Sequence, residues 1–98
     1  MLPLVFRPEA EADLADAFAW YEERGRGLGD RFLFSVEAAL AAIQRHPESF
    51  LVVHKHVRRI LLRRFPYAVF YTVDESSVTV FGVFHCRRDP GRWQERVT

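Results

Sequence analysis

Cysteine is nearly missing from this chain. Cys86 stands alone, so no internal disulfide can form and no cysteine-based zinc site can be completed. No apolar run approaches the roughly 20 residues that a membrane helix needs. The opening Met1-Leu2-Pro3-Leu4-Val5-Phe6 has neither the basic start nor the length of a signal peptide. Lysine is just as scarce, Lys55 alone against thirteen arginines, a bias that suits planar recognition of phosphate or carboxylate or simply follows a GC-rich genome. Between Ser49 and Val73 there is no carboxylate at all. These absences describe a chain expected in a reducing cytoplasm, without a membrane segment, and with no metal or other cofactor.

Hydrophobic residues make up 49% of the 98 positions and charged residues 28%, a balance that excludes disorder and low-complexity architectures. The length suits one domain spanning 1–98. The net charge of +1 hides polarity along the chain. Residues 1–48 carry nine acidic and five basic side chains, whereas residues 49–98 carry four acidic and nine basic ones. The second half therefore invites an anionic partner, nucleic acid or an acidic peptide, unless its cations form only a solvated face.

Residues 2–6 are short, apolar and β-prone. Pro8 opens a helix running to about residue 24, with Ala10, Leu14, Phe18 and Tyr21 on one stripe. Gly25, Gly27 and Gly29 follow a helix rather than a strand and lack a Lys-Ser/Thr ending. They therefore predict a helix–helix turn, not a phosphate loop. A second helix places Phe32, Val36, Leu40 and Ile43 on one stripe and stops before Pro47. Beyond Phe50 the period changes to two. Val57 to Phe65, Tyr67 to Val73 and Val78 to His85 read as strands of an antiparallel meander. His54, Lys55 and His56 fall in a loop or an edge strand. Asp89-Pro90-Gly91 turns the chain into a short tail holding Trp93. The order β-α-α-β-β-β plus a tail makes an α+β, two-layer domain with a helical hairpin on one face of the sheet. The basic residues are then expected on the open face or its rim. Alternation does not choose between faces, because Arg58 and Arg64 share one parity and Arg59 and Arg63 the other.

Several segments taken together carry a resemblance. They are Ala12-Asp13-Leu14, Trp20-Tyr21-Glu22-Glu23 and Gly27-Leu28-Gly29-Asp30-Arg31-Phe32 in the helical half. In the strands they are Arg59, Arg64-Phe65-Pro66-Tyr67, Tyr71, His85-Cys86-Arg87-Arg88-Asp89-Pro90 and Trp93. In this order and spacing the chain resembles toxins of the RelE/ParE superfamily, the stable halves of bacterial type II toxin–antitoxin pairs, sometimes associated with plasmid stabilisation. The resemblance implies a small antiparallel sheet with a helical hairpin and a growth-inhibiting activity. It also implies a cognate antitoxin whose acidic segment binds the toxin in a hetero-oligomer.

RelE-like members cleave mRNA on the ribosome without metal, and ParE-like members inhibit DNA gyrase. Metal-free RNA cleavage needs an acid, a base and cations for the phosphate. Arg59, Arg63 and Arg87 match basic positions of the nuclease branch. The position after Tyr67, commonly Arg there, is Ala68, and the C-terminal position commonly Tyr is Trp93, whose indole can donate a hydrogen bond but cannot serve as acid or base. The set is incomplete, and the resemblance is closer to the ParE-like branch. The alternative is a ribonuclease with a non-standard site of His85, Arg59 and Arg87, in which His85 supplies acid–base chemistry; otherwise His85 caps the strand end. On the ParE-like reading Arg58, Arg59, Arg63, Arg64, Arg87, Arg88 and Trp93 are the expected contacts for target or antitoxin.

Overall fold

The structure is a computed structural model that describes residues 1–88 and 91–97. The Asp89-Pro90 part of the expected final turn lies outside the described residues. Eight elements follow in order: β1 (Leu4–Phe6), α1 (Pro8–Arg24), α2 (Leu28–Arg45), β2 (Leu51–His54), β3 (Val57–Leu61), β4 (Tyr67–Val73), β5 (Val78–His85) and α3 (Arg92–Val97). The five strands lie in the order β1-β5-β4-β3-β2, with β1 parallel to β5 and the other pairings antiparallel. The expected hairpin and meander are present, although the first meander strand, expected from Val57 to Phe65, ends at Leu61 and the chain from Leu62 to Pro66 forms its connection to β4. One strand is added: Leu51–His54 is an edge strand, while Lys55, at a φ of 52°, turns the chain back into β3.

Glu22 closes the helical hairpin. Its carboxylate accepts the backbone N–H of Gly27 and of Gly29, each at 3.0 Å, supplying the acceptor that the first turn of α2 lacks in its own helix. Gly29 has no side chain because a Cβ there would lie 2.8 Å from the Phe18 ring and 2.9 Å from the Phe18 carbonyl oxygen. The two helices cover one sheet face with a core built on Phe32, Val36, Ile43, Val69, Tyr71, Val78 and Val80. Tyr21, Phe32, Phe65 and Tyr67 form its aromatic end, with ring centroids 5.0 to 6.1 Å apart.

The second face departs from the expectation of an open, basic surface. It carries its own apolar cluster of Val57, Ala68, Phe70, Phe81 and Phe84, against which Val53 and Trp93 pack. A β-bulge makes this possible. Phe70 pairs with Gly82 and Tyr71 with Val80, so Phe81 is the extra residue in β5. Val80 and Val83 consequently both reach the helix-covered core, while Phe81 and Phe84 both reach the other side.

The clusters extend around the outer edge of β5. Here β1 pairs only as far as Val80, and beyond it Asp13 of α1 accepts the Val83 N–H at 2.9 Å. The same carboxylate binds Arg96 of α3 at 2.6 Å, and Arg96 also donates to the Phe81 carbonyl. Among the described residues no helix is long and apolar enough to cross a membrane.

Candidate functional site

Strand register decides where each arginine goes. Arg58 pairs with Tyr71 and faces the helix side, Arg59 pairs with Phe70 and faces the other side, and Ile60 returns to the helix side opposite Val69. One nitrogen of Arg58 donates to the carbonyls of Glu48 and Phe50, both at 2.8 Å. Beside it the Tyr71 hydroxyl donates to the Pro47 carbonyl at 2.6 Å. Together they pin the chain between α2 and β2, so Arg58 serves the fold. Burial pushes the Tyr71 hydroxyl above its ordinary range, partly opposed by the Arg58 charge.

Arg63 and Arg64 lie on the exposed connection between β3 and β4. Ser35 of α2 donates to the Arg63 carbonyl at 2.9 Å, and Arg64 adopts a φ of 68°, uncommon for a residue with a side chain. Arg87 and Arg88 lie in the turn after β5. Arg88 donates to the Tyr67 hydroxyl at 2.7 Å and sits 5.5 Å from the Trp20 ring centroid, while Arg24 stacks on that indole at 3.6 Å. This end of the molecule holds a small polar recess of about 270 Å³ between α1 and β5. Burial also raises the Tyr21 hydroxyl, aided by neighbouring Tyr67 and opposed by Arg88.

The ribonuclease constellation does not converge. His85 pairs with Tyr67 on the helix side of the sheet, whereas Arg59 pairs with Phe70 on the opposite side. The His85 Nδ1 accepts the N–H groups of both Arg87 and Arg88 at 3.0 Å, which is the strand-end cap. Ala68 is 1% exposed within the second cluster, so that position offers no phosphate clamp. Trp93 stacks on Phe70 with centroids 5.2 Å apart and planes 17° from parallel, and its edge meets His54. Its main contact is with the sheet. Among the described residues no cluster of His, Cys, Asp and Glu could hold a metal ion.

The expected contact residues thus occupy separate places, and the single basic face is corrected to scattered rims. A groove of about 980 Å³ lies instead between α2 and the end of β3 with its following loop. Along α2 it is lined by Arg31, Ser35, Ala38, Ala42 and Arg45, at spacings of four, three, four and three. Across from them stand Leu61, Arg63 and Arg64. Apolar periodicity marks only the core stripe of α2, Phe32, Val36, Leu40 and Ile43, and gives no signal for a second stripe of small and basic residues. Phe34, which falls outside that core stripe and is 74% exposed, was the available signal.

A sequence model of the family described as "ParE toxin of type II toxin-antitoxin system, parDE" matches residues 4–90. Toxin ParE2 of Mycobacterium tuberculosis, from strain CDC 1551 / Oshkosh and strain ATCC 25618 / H37Rv, is 29% identical over 89 residues, covering 90% of this chain and 85% of each relative. A chain in the solved structure of a chromosomal ParDE TA system from P. aeruginosa superposes with a TM-score of 0.76 at 17% identity. That alignment covers 87% of this chain and 96% of the other, a likeness of fold.

Proposed function

The chain belongs to the ParE toxins of type II toxin–antitoxin systems, and from that premise we propose that it arrests growth by binding a cellular target such as DNA gyrase rather than by cutting RNA. The observation supporting this choice is the separation of His85 from Arg59 on opposite sheet faces, together with buried Ala68 where a phosphate-binding arginine would stand. A nuclease needs its acid, base and cations around one phosphate. Here the histidine's Nδ1 is already engaged by two backbone donors, and the arginines lie on different rims. Exposed Arg63, Arg64, Arg87 and Arg88, with the half-buried Arg59, are the groups available to anionic partners.

On this reading the protein works in the cytoplasm and is neutralised in a hetero-oligomer by a cognate antitoxin with an acidic segment. That segment gains order as it binds, its apolar anchors supplying affinity while charge sets approach and register.

The test places purified toxin in two assays: supercoiling of relaxed plasmid by gyrase, and primer extension on mRNA bound to translating ribosomes. The expected result is inhibited supercoiling with intact mRNA. Cleaved mRNA, with cleavage lost in folded His85→Ala and Arg59→Ala proteins, would replace this reading with the ribonuclease one.

A further inference from the structure

We propose that the uncovered half of the second sheet face, centred on Arg59 between Leu51 and Leu61, is the surface that holds the cellular target, a folded protein presenting a carboxylate set among apolar side chains. This rests on the target-binding reading above and adds the place and the chemistry of the contact.

Strand register builds the patch. Leu51 pairs with Arg59 across β2 and β3, and side chains directly opposite share a sheet face at about 5 Å from one another. Leu61 lies two residues further along β3, on that same face about 7 Å away, and pairs with Ala68 of the second apolar cluster. All three therefore face away from the helical hairpin, on the side where Arg59 opposes Phe70.

Helix α3 divides this face. Trp93 stacks on Phe70 and the Arg96 guanidinium lies 4.5 Å from the Phe84 ring centroid, so the β4–β5 half is closed. The cover stops at His54, whose ring meets Trp93 at 5.9 Å. Beyond it Leu51 stays 59% exposed, and Leu61, which also borders the groove beside α2, stays 56% exposed. A single exposed leucine needs no explanation. Two of them flanking one cation, on the open half of a face that is otherwise packed, mark a surface that another chain covers.

Arg59 identifies the partner. Its neighbour Arg58 is engaged by the Glu48 and Phe50 carbonyls, whereas among the described residues no hydrogen bond or ion pair engages Arg59. Strands β2, β3 and β4 contain no carboxylate that could neutralise it. A half-buried guanidinium between leucines has already lost part of its water, so a carboxylate that arrives with apolar neighbours pairs with it in a drier, lower-dielectric setting. An arginine ringed by apolar contacts is the composition of a dominant interface residue. Nucleic acid fits less well, because a phosphate backbone is held by many cations and gains little from leucine. A second copy of this chain would set Arg59 against Arg59 across a two-fold axis, which disfavours self-association here.

The experiment uses the full-length toxin and the gyrase holoenzyme, reading inhibition of plasmid supercoiling and direct binding to immobilised gyrase. Arg59→Glu is expected to raise the toxin concentration for half-inhibition at least about thirtyfold. Leu51→Ser and Leu61→Ser, at exposed positions, should each raise it about tenfold. Arg26→Glu, an equal change of charge on the exposed helix–helix turn, should leave inhibition unchanged. Thermal melts of each variant check the fold. Wild-type toxin without effect on gyrase overturns the target reading and this inference with it. Inhibition undiminished in folded Arg59→Glu and in both leucine variants overturns the patch alone. The patch also fails as a protein-docking site if the toxin binds plasmid without gyrase and Arg59→Glu abolishes it, or if sedimentation shows a toxin dimer that Leu51→Ser dissociates.

Discussion

Replacing Asp13 with alanine should be among the most damaging single changes to this fold made on a helix surface. The Asp13 carboxylate joins three elements: α1, which carries it; β5, through the Val83 N–H at 2.9 Å; and α3, through Arg96 at 2.6 Å. Its side chain is 15% exposed and that of Arg96 18%, so water replaces neither bond freely. Removing one partner of a largely buried ion pair costs about 3 to 5 kcal/mol when the remaining charge cannot be solvated. Arg96 sits on a six-residue terminal helix and can swing into solvent, which lowers that cost. The Val83 N–H loses its acceptor as well, adding about 1 kcal/mol. A net loss of about 3 kcal/mol follows, which for a chain of this size lowers Tm by about 15 °C.

Arg96→Ala should cost less, about 1.5 kcal/mol, because Asp13 keeps the Val83 N–H. The double variant should resemble Asp13→Ala closely, revealing coupling between the two. Urea titration is the assay, with Trp93 fluorescence in a Trp20→Phe background reporting α3 docking, since Trp93 stacks on Phe70. A loss below 0.5 kcal/mol for Asp13→Ala (as a rough threshold for an ordinary surface change), or strict additivity in the cycle, would refute the clasp.

Gly29→Ala should destabilise by about 2 kcal/mol despite alanine's better helix propensity, because the Phe18 backbone carbonyl cannot retreat from a new Cβ; a gain in Tm would contradict the close approach. His85 should appear in long-range ¹⁵N–¹H spectra as the Nε2-protonated neutral tautomer, since Nδ1 accepts two N–H groups; the Nδ1–H form would remove its capping role. The Asp74 carboxyl is held below its ordinary range by hydrogen bonds from Ser76 N–H, the Ser76 hydroxyl and Ser77 N–H. Its folded value being depressed, Asp74 stabilises the fold above the ordinary carboxylate range and loses that effect as pH falls through the lowered value. An NMR titration midpoint for Asp74 at or above 3.8 would contradict this.

Local periodicity was enough to read both helices and their hairpin, because each helix buries one stripe against the sheet, whereas β3 to β5 were legible from their β-branched and aromatic content, with β4 and β5 buried on both faces. Three features needed more than periodicity. The bulge at Phe81 shifts alternation within a single strand, so counting parity from either end of β5 misassigns half of its residues. Leu51–His54 is short and half-exposed, and its pairing with β3 is fixed by the return through Lys55 rather than by its own pattern. The tail gave no sign that Trp93 would lie flat on Phe70, since a tryptophan beside arginine suits a partner surface as well as a core. That last ambiguity is why the second sheet face was expected to be open. Residue chemistry was also a poor guide to which arginines remain available. Arg58 looked identical in kind to Arg59, yet register alone sends one into backbone carbonyls and the other to the opposite face.

The topology explains why cations in the groove go uncompensated in a chain whose first half carries an excess of carboxylates. Helix α1 packs on β5 and α2 packs on β3, at opposite sides of the sheet order. The acidic side chains of α1, including Glu9, Glu11 and Asp13, are thereby carried to the β1–β5 side, where Asp13 is consumed in holding Arg96. The groove lies at the β3 side, beyond the reach of those charges. Bringing one carboxylate across would require only a surface substitution on α2, and Ala38 or Ala42 could accept it with little effect on folding. Their small apolar character keeps the floor of the groove low and open. The same reasoning gives Ala38→Glu a distinct signature: it should leave the toxin folded and quench the local positive field, so that an anionic probe bound there binds more weakly and with less sensitivity to salt.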